Sequence, residues 1–173
     1  MPAAAVVDGL VYDLTNAPAD LDLWVPPADE ARCAARGIVA AVGAERLVDL
    51  GYRPGTAGAA VNQVGLSDDE RTAVVRAFSG CVDVQAAVAS LLAGSNLLPG
   101  RSAACVARGL AAKRQLGPFV EAWAFRSALD PFEGGKDGLA PTVLSYADVC
   151  LSDSSFDWSL RSTTTTSPPT SVP

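Results

Sequence analysis

Cys33-Ala34-Ala35-Arg36-Gly37-Ile38 and Cys105-Val106-Ala107-Arg108-Gly109-Leu110 are one string written twice, C-x-A-R-G followed by an aliphatic residue, 72 positions apart (33 to 105). The other two cysteines, Cys81 and Cys150, trail these by 48 and 45 residues, and each is followed by an aliphatic residue, Val82 or Leu151. A motif recurring at a fixed period marks a duplicated structural unit. The repeat speaks to architecture rather than to activity.

Outward from the motif the apolar spacing is helical. Val6, Val7, Leu10, Val11 and Leu14 predict a helix over Ala3 to Leu14, although Gly9 weakens it and a strand stays open. Asn16 to Pro27 carries three prolines and reads as an extended connector, with Leu21, Leu23 and Trp24 pinning it to the core. Pro26-Pro27-Ala28-Asp29-Glu30 starts the first cysteine helix, which ends at Gly43, and a short helix over Ala44 to Leu50 follows. Arg53 to Gly65 reads as a loop. Ser67-Asp68-Asp69-Glu70 is a capping box, after which Val74, Val75, Phe78 and Cys81 fall on one helical side, with Gly80 ending or kinking the helix. Asp83 caps a helix over Val84 to Ala93.

From Arg101 the scheme restarts. A second cysteine helix runs through Lys113, and Gly117-Pro118 opens a helix carrying Phe119, Val120, Trp123 and Leu129, closed by Asp130-Pro131. Phe132 to Gly138 is a Gly-rich connector, and a helix from Pro141 carries Val143, Leu144, Ala147 and Cys150. Residues 1–93 then form a first helical repeat unit and 94–160 a second packed on it. Residues 161–173 are a disordered Ser/Thr/Pro-rich tail. With Ala3 to Leu14 matched to Val84 to Ala93, the expected fold class is all-α: two tandem four-helix units, disulfide-linked. Units of roughly 75 residues leave only a few kcal/mol after chain entropy, so they must pack on each other or be stapled.

The cysteines supply the staple. An even count at matching points of a repeat favours disulfides over reduced core thiols, and a zinc site is disfavoured because the chain has no histidine and no C-x-x-C. Four cysteines allow three pairings. The repeat favours Cys33 with Cys81 and Cys105 with Cys150; Cys81 with Cys105, leaving Cys33 to Cys150, is the competitor. Each in-unit bridge would add roughly 4 kcal/mol in the chain-entropy model.

Composition narrows the function classes. Acidic residues outnumber basic ones by 19 to 13 with no Lys/Arg run, which disfavours nucleic acid as a partner. The longest apolar stretches are too short to span a bilayer, and Met1-Pro2-Ala3 lacks the basic start of a signal peptide. Without histidine the commonest general base is missing, and Ser-His-Asp and Cys-His systems are excluded. No phosphate-binding loop, calcium loop or other cofactor motif occurs, so no cofactor, metal or catalytic residue is expected. The carboxylates of Asp68-Asp69-Glu70 are accounted for by helix capping, which leaves Asp20 and Asp22 as the other close acidic pair.

Arg36 and Arg108 hold equivalent places one turn beyond Cys33 and Cys105, where each binds an acidic partner, pairs with a carboxylate of its own unit or lies on a solvated face. Gly37 and Gly109 sit inside helices where alanine would be favoured by up to ~1 kcal/mol, which implies close approach of another helix. Phe156 and Trp158, beyond the last cysteine, either dock back on the bundle or form an exposed tip. Arg36, Arg108, Phe156 and Trp158 are therefore the candidate partner contacts.

At C-x-A-R-G, Gly43-Ala44-Glu45-Arg46-Leu47, Leu66-Ser67-Asp68-Asp69-Glu70 and Gly80-Cys81-Val82-Asp83, over Asp29 to Leu151, the chain resembles uncharacterised exported actinobacterial proteins built from Ala-rich helical repeats with paired cysteines. The resemblance implies helices, disulfides and an extracellular or cell-envelope location, the last requiring a leader that this sequence does not contain. The expected function is a non-catalytic exported helical module binding an unknown protein or envelope component. One alternative is a saposin-like bundle in peripheral contact with lipid, although saposins carry six cysteines per unit against two here. A carboxylate-dependent hydrolase is the second.

Overall fold

Ser67 shows how local chemistry sets the elements. Its Oγ accepts from the Glu70 backbone N–H at 3.3 Å while Glu70 Oε2 accepts from the Ser67 N–H at 2.8 Å, the reciprocal capping box that the sequence spells. The computed structural model describes residues 1–16, 24–54, 61, 64–94, 98–125 and 139–158. Among these residues there are eight α-helices and no strand.

In chain order they are α1 (Ala3–Thr15), α2 (Ala28–Val42), α3 (Ala44–Asp49), α4 (Asp68–Ser79), α5 (Val84–Gly94), α6 (Gly100–Ala112), α7 (Gly117–Ala124) and α8 (Ala140–Ser152). Asp29 and Glu30 place negative charge in the first turn of α2, where the helix dipole favours it. Gly43, with φ of +96°, stops α2 and turns the chain at once into α3. Asp83 Oδ1 accepts from the Ala86 N–H at 3.0 Å and starts α5.

Two elements end earlier than their periodicity suggests. α4 closes at Ser79 with Gly80 as its cap, so Cys81 lies in the turn beyond the helix rather than on its face. α7 closes at Ala124, where the Phe125 N–H still reaches Glu121 O; the expected continuation to Leu129 and the Asp130-Pro131 stop fall outside the described residues. So do Leu21, Leu23, most of the Arg53 to Gly65 loop, the Phe132 to Gly138 connector and the tail.

The disulfides are Cys33–Cys81 and Cys105–Cys150, with Cα separations of 5.6 and 5.7 Å. The first ties α2 to the turn after α4, and the second ties α6 to α8. Each cysteine helix packs on the helix before it and on the one two places after it. α2 packs on α1, α3 and α4, α6 packs on α5 and α8, and α5 also touches α7. Thus α5 sits with the second cysteine helix.

The seam between the two sets is α4 against α7. Arg71 of α4 spans it, its guanidinium 4.1 Å from the Phe125 ring centroid and 3.2 Å from Glu121 Oε1. Trp24, from the connector before α2, packs tilted against Trp123 of α7, with ring centroids 5.0 Å apart. Beneath this seam the buried side chains form one cluster, from Leu10, Ile38 and Phe78 on one side to Leu92, Leu110 and Phe119 on the other. Neither set has to be stable alone.

Tyr52, just after Gly51, is fully buried and donates through its hydroxyl to Asp13 Oδ2 of α1 at 2.7 Å. Desolvation first, and the Asp13 carboxylate second, push its pKa far above the ordinary value of 10.0. Glu70 moves the other way. Arg46 Nε donates to Glu70 Oε1 at 2.8 Å, and this bond, with the Ser67 N–H, holds the carboxyl down at about 2.

Candidate functional site

The two repeat motifs meet different surroundings, and the difference creates the site. In α2, Gly37 faces Ala77 of α4; a Cβ added there would lie 3.2 Å from the Ala77 Cβ, so close helix approach accounts for this glycine. In α6, the atoms nearest Gly109 belong to none of the eight helices. The indole of Trp158 covers it, and a Cβ would lie 2.7 Å from the ring fusion carbon Cε2. The expectation of a neighbouring helix at Gly109 is thus corrected to a single aromatic ring.

That ring arrives because the chain folds back after α8. Asp153 Oδ1 accepts from the backbone N–H and the hydroxyl of Ser155, a tight Asx-type turn that also lowers the Asp153 pKa. Arg108 Nη2 donates to the Ser154 carbonyl at 2.7 Å, and Trp158 Nε1 donates to the Cys105 carbonyl at 2.9 Å. Tyr146 of α8 packs on Trp158 at 4.4 Å, and its hydroxyl donates to Gln115 Oε1 at 2.6 Å. Phe156 meets Trp158 edge-on at 5.1 Å.

Between this returning segment and α6 runs an open groove of about 950 Å³. Its floor is the outer stripe of α6, Arg101, Ala104, Arg108 and Ala111, at i, i+3, i+7 and i+10. Gln85 of α5 closes one side, and Ser155, Phe156 and Asp157 the other. Seven residues at ~1.5 Å per residue put the two arginine Cα positions about 10 Å apart along the helix. Such a surface can accept carboxylates at two points with an aromatic edge between polar rims.

Of the four residues singled out in sequence, the structure brings three together. Arg108 and Phe156 line the groove, and Trp158, only 3 % exposed, is its buried support rather than a surface contact. Arg36 lies apart on α2, exposed and without a hydrogen bond or ion pair among the described residues. Arg108 is held by a backbone carbonyl, not by the carboxylate that was the alternative expectation. Arg101 and Gln85 were not singled out. The signal for Arg101 was its place seven residues before Arg108 with small residues between.

Among the described residues no three acidic, cysteine or histidine side chains converge on a point that could hold a metal ion, and no single helix is long and apolar enough to cross a membrane. No protein-family model matches the chain, and neither a curated protein nor a solved structure does.

Proposed function

We propose that the protein is a non-catalytic exported module that binds a carboxylate-bearing protein or envelope component in the groove of α6. The observation that carries this reading is the pre-set Arg108: its bond to Ser154 fixes one edge of the guanidinium and leaves the rest exposed beside Arg101 and Phe156. A fork immobilised before binding loses less side-chain entropy on meeting a carboxylate. The location outside the cytosol is supported by two disulfides in a chain without free cysteine among the described residues. The architecture fits an internal duplication in which α1–α4 and α5–α8 are two copies of one four-helix unit, each closed by its own bridge.

Against the hydrolase alternative, Asp157 is the one carboxylate among the described residues that line the groove, where glycoside-type chemistry needs two facing each other. A hexaglutamate peptide titrated into the labelled protein should shift the amide resonances of Arg101, Arg108 and Phe156, and Arg101→Glu should abolish the shifts. Shifts scattered over the surface, or none, overturn the reading. Flotation with anionic phospholipid vesicles in place of peptide binding would favour the saposin-like alternative.

A further inference from the structure

The two cysteine bridges hold the same place in the repeat but differ in access. Cys105 and Cys150 are 0 % and 1 % exposed, whereas Cys33 is exposed and Cys81 half-buried. The cause is the chain that follows each pair. After Cys150 the segment to Trp158 folds back over α6, bonding to Cys105 O and to Arg108. After Cys81 the chain passes through Val82 and Asp83 straight into α5, and no described residue that follows Cys81 makes a hydrogen bond to α2 comparable to those that Trp158 and Ser154 make to α6. Ser102 of α6, buried and donating to Cys150 O at 3.1 Å, tightens the covered bridge further.

We infer that Cys33–Cys81 is a thiol–disulfide exchange site open in the folded protein to thiol reductants, while Cys105–Cys150 is a closed structural cross-link. An incoming thiolate attacks the sulfur of Cys33, the more exposed residue of the pair, forming a mixed disulfide and releasing Cys81 as thiolate. A second thiolate of the reductant then displaces Cys33. Two electrons pass to the protein, the reductant leaves as its disulfide, and the two cysteines end as thiols after proton uptake. Exchange rates depend on access and on which sulfur is reachable, and access is what separates the two bridges.

Arg36 favours the first step. It stands one turn beyond Cys33 on the exposed face of α2, and its charge draws the attacking thiolate. Its counterpart Arg108 stands beside a bridge that is itself buried, so the same charge has no reachable sulfur next to it. Opening the bridge need not unfold α2, because Ala34, Ala35 and Ile38 stay buried with Val74 and Phe78 in the shared core.

The test is native-state reduction of the full chain by dithiothreitol at several concentrations, quenched by iodoacetamide and read by peptide mass spectrometry, with helix content followed by circular dichroism. Cys33 and Cys81 should be alkylated at least about tenfold faster than Cys105 and Cys150, at a rate proportional to dithiol and with helix content retained. Equal rates, a lead for Cys105–Cys150, or a fast phase that does not rise with dithiol overturns the inference. Trp158→Ala, by lifting the cover, should bring the second bridge toward the rate of the first; an unchanged rate overturns the role given to that cover. Running a dithiol oxidoreductase in parallel separates a protein reductant from a small thiol, and selectivity for Cys33–Cys81 with neither overturns the site.

Discussion

Replacing Gly109 by alanine sets two opposed effects against each other, and the structure decides between them. Alanine gains up to ~1 kcal/mol of helix propensity at an interior position. Its Cβ, however, would sit 2.7 Å from Trp158 Cε2 and 2.9 Å from Cδ2, atoms of the ring fusion that move only with the whole side chain. A ring that shifts within the core costs about 1–3 kcal/mol, as overpacking does. Expelling the ring would forfeit roughly 200 Å² of burial, ~5 kcal/mol at ~25 cal/mol/Å², with the bond to Cys105 O adding ~1. The ring therefore shifts rather than leaves, and after the propensity gain the expected net loss is about 0–2 kcal/mol, read as a lower urea midpoint by circular dichroism under oxidising conditions. Gly37→Ala meets Ala77 Cβ at 3.2 Å and Ala77 Cα and O at 3.7 Å, a milder contact that should cost less than Gly109→Ala. In a Trp158→Ala background the sign should reverse, Gly109→Ala then stabilising by up to ~1 kcal/mol. Equal effects at the two glycines, or a loss that persists without the tryptophan, would refute the assignment.

Two further outcomes are expected. Cys33→Ser and Cys81→Ser should each cost about 4 kcal/mol, and the double variant little more, while additive losses in denaturant melts would contradict a shared bridge. Glu70, held at about 2 against an ordinary 4.5, contributes stability that is complete above pH 4.5 and lost as pH falls toward 2. Glu70→Gln should therefore lower the urea midpoint at neutral pH and flatten its decline over that acid interval, and parallel curves would show that the Arg46 contact is not felt.

Much of this architecture could be read in advance because its causes are local. Ser67 and Glu70 are three residues apart, and a capping box needs nothing from the rest of the chain. The bridges were legible because a repeat supplies a symmetry argument that four unordered cysteines lack. The glycine at position 109 was visible as an anomaly, but its occupant was not, since Trp158 reaches it only after a reversal of direction set by Asp153 and Ser155. Tyr52 was missed for the same reason: its partner Asp13 lies 39 residues earlier, and no periodicity joins them. Arg101 belongs to the groove solely because the returning segment makes one edge of α6 concave, which is a property of the assembled shape.

The connectivity has a consequence for how the chain matures. Each cysteine joins the next one along the chain, so for a polypeptide delivered N-terminus first into an oxidising space the correct partner is always the one already present. At ~5–20 residues per second, the 24 residues from Cys81 to Cys105 leave roughly 1–5 s in which the first pair can close with no rival thiol in reach. Order of emergence thus favours the native linkage over the two alternative pairings whenever oxidation keeps pace with delivery.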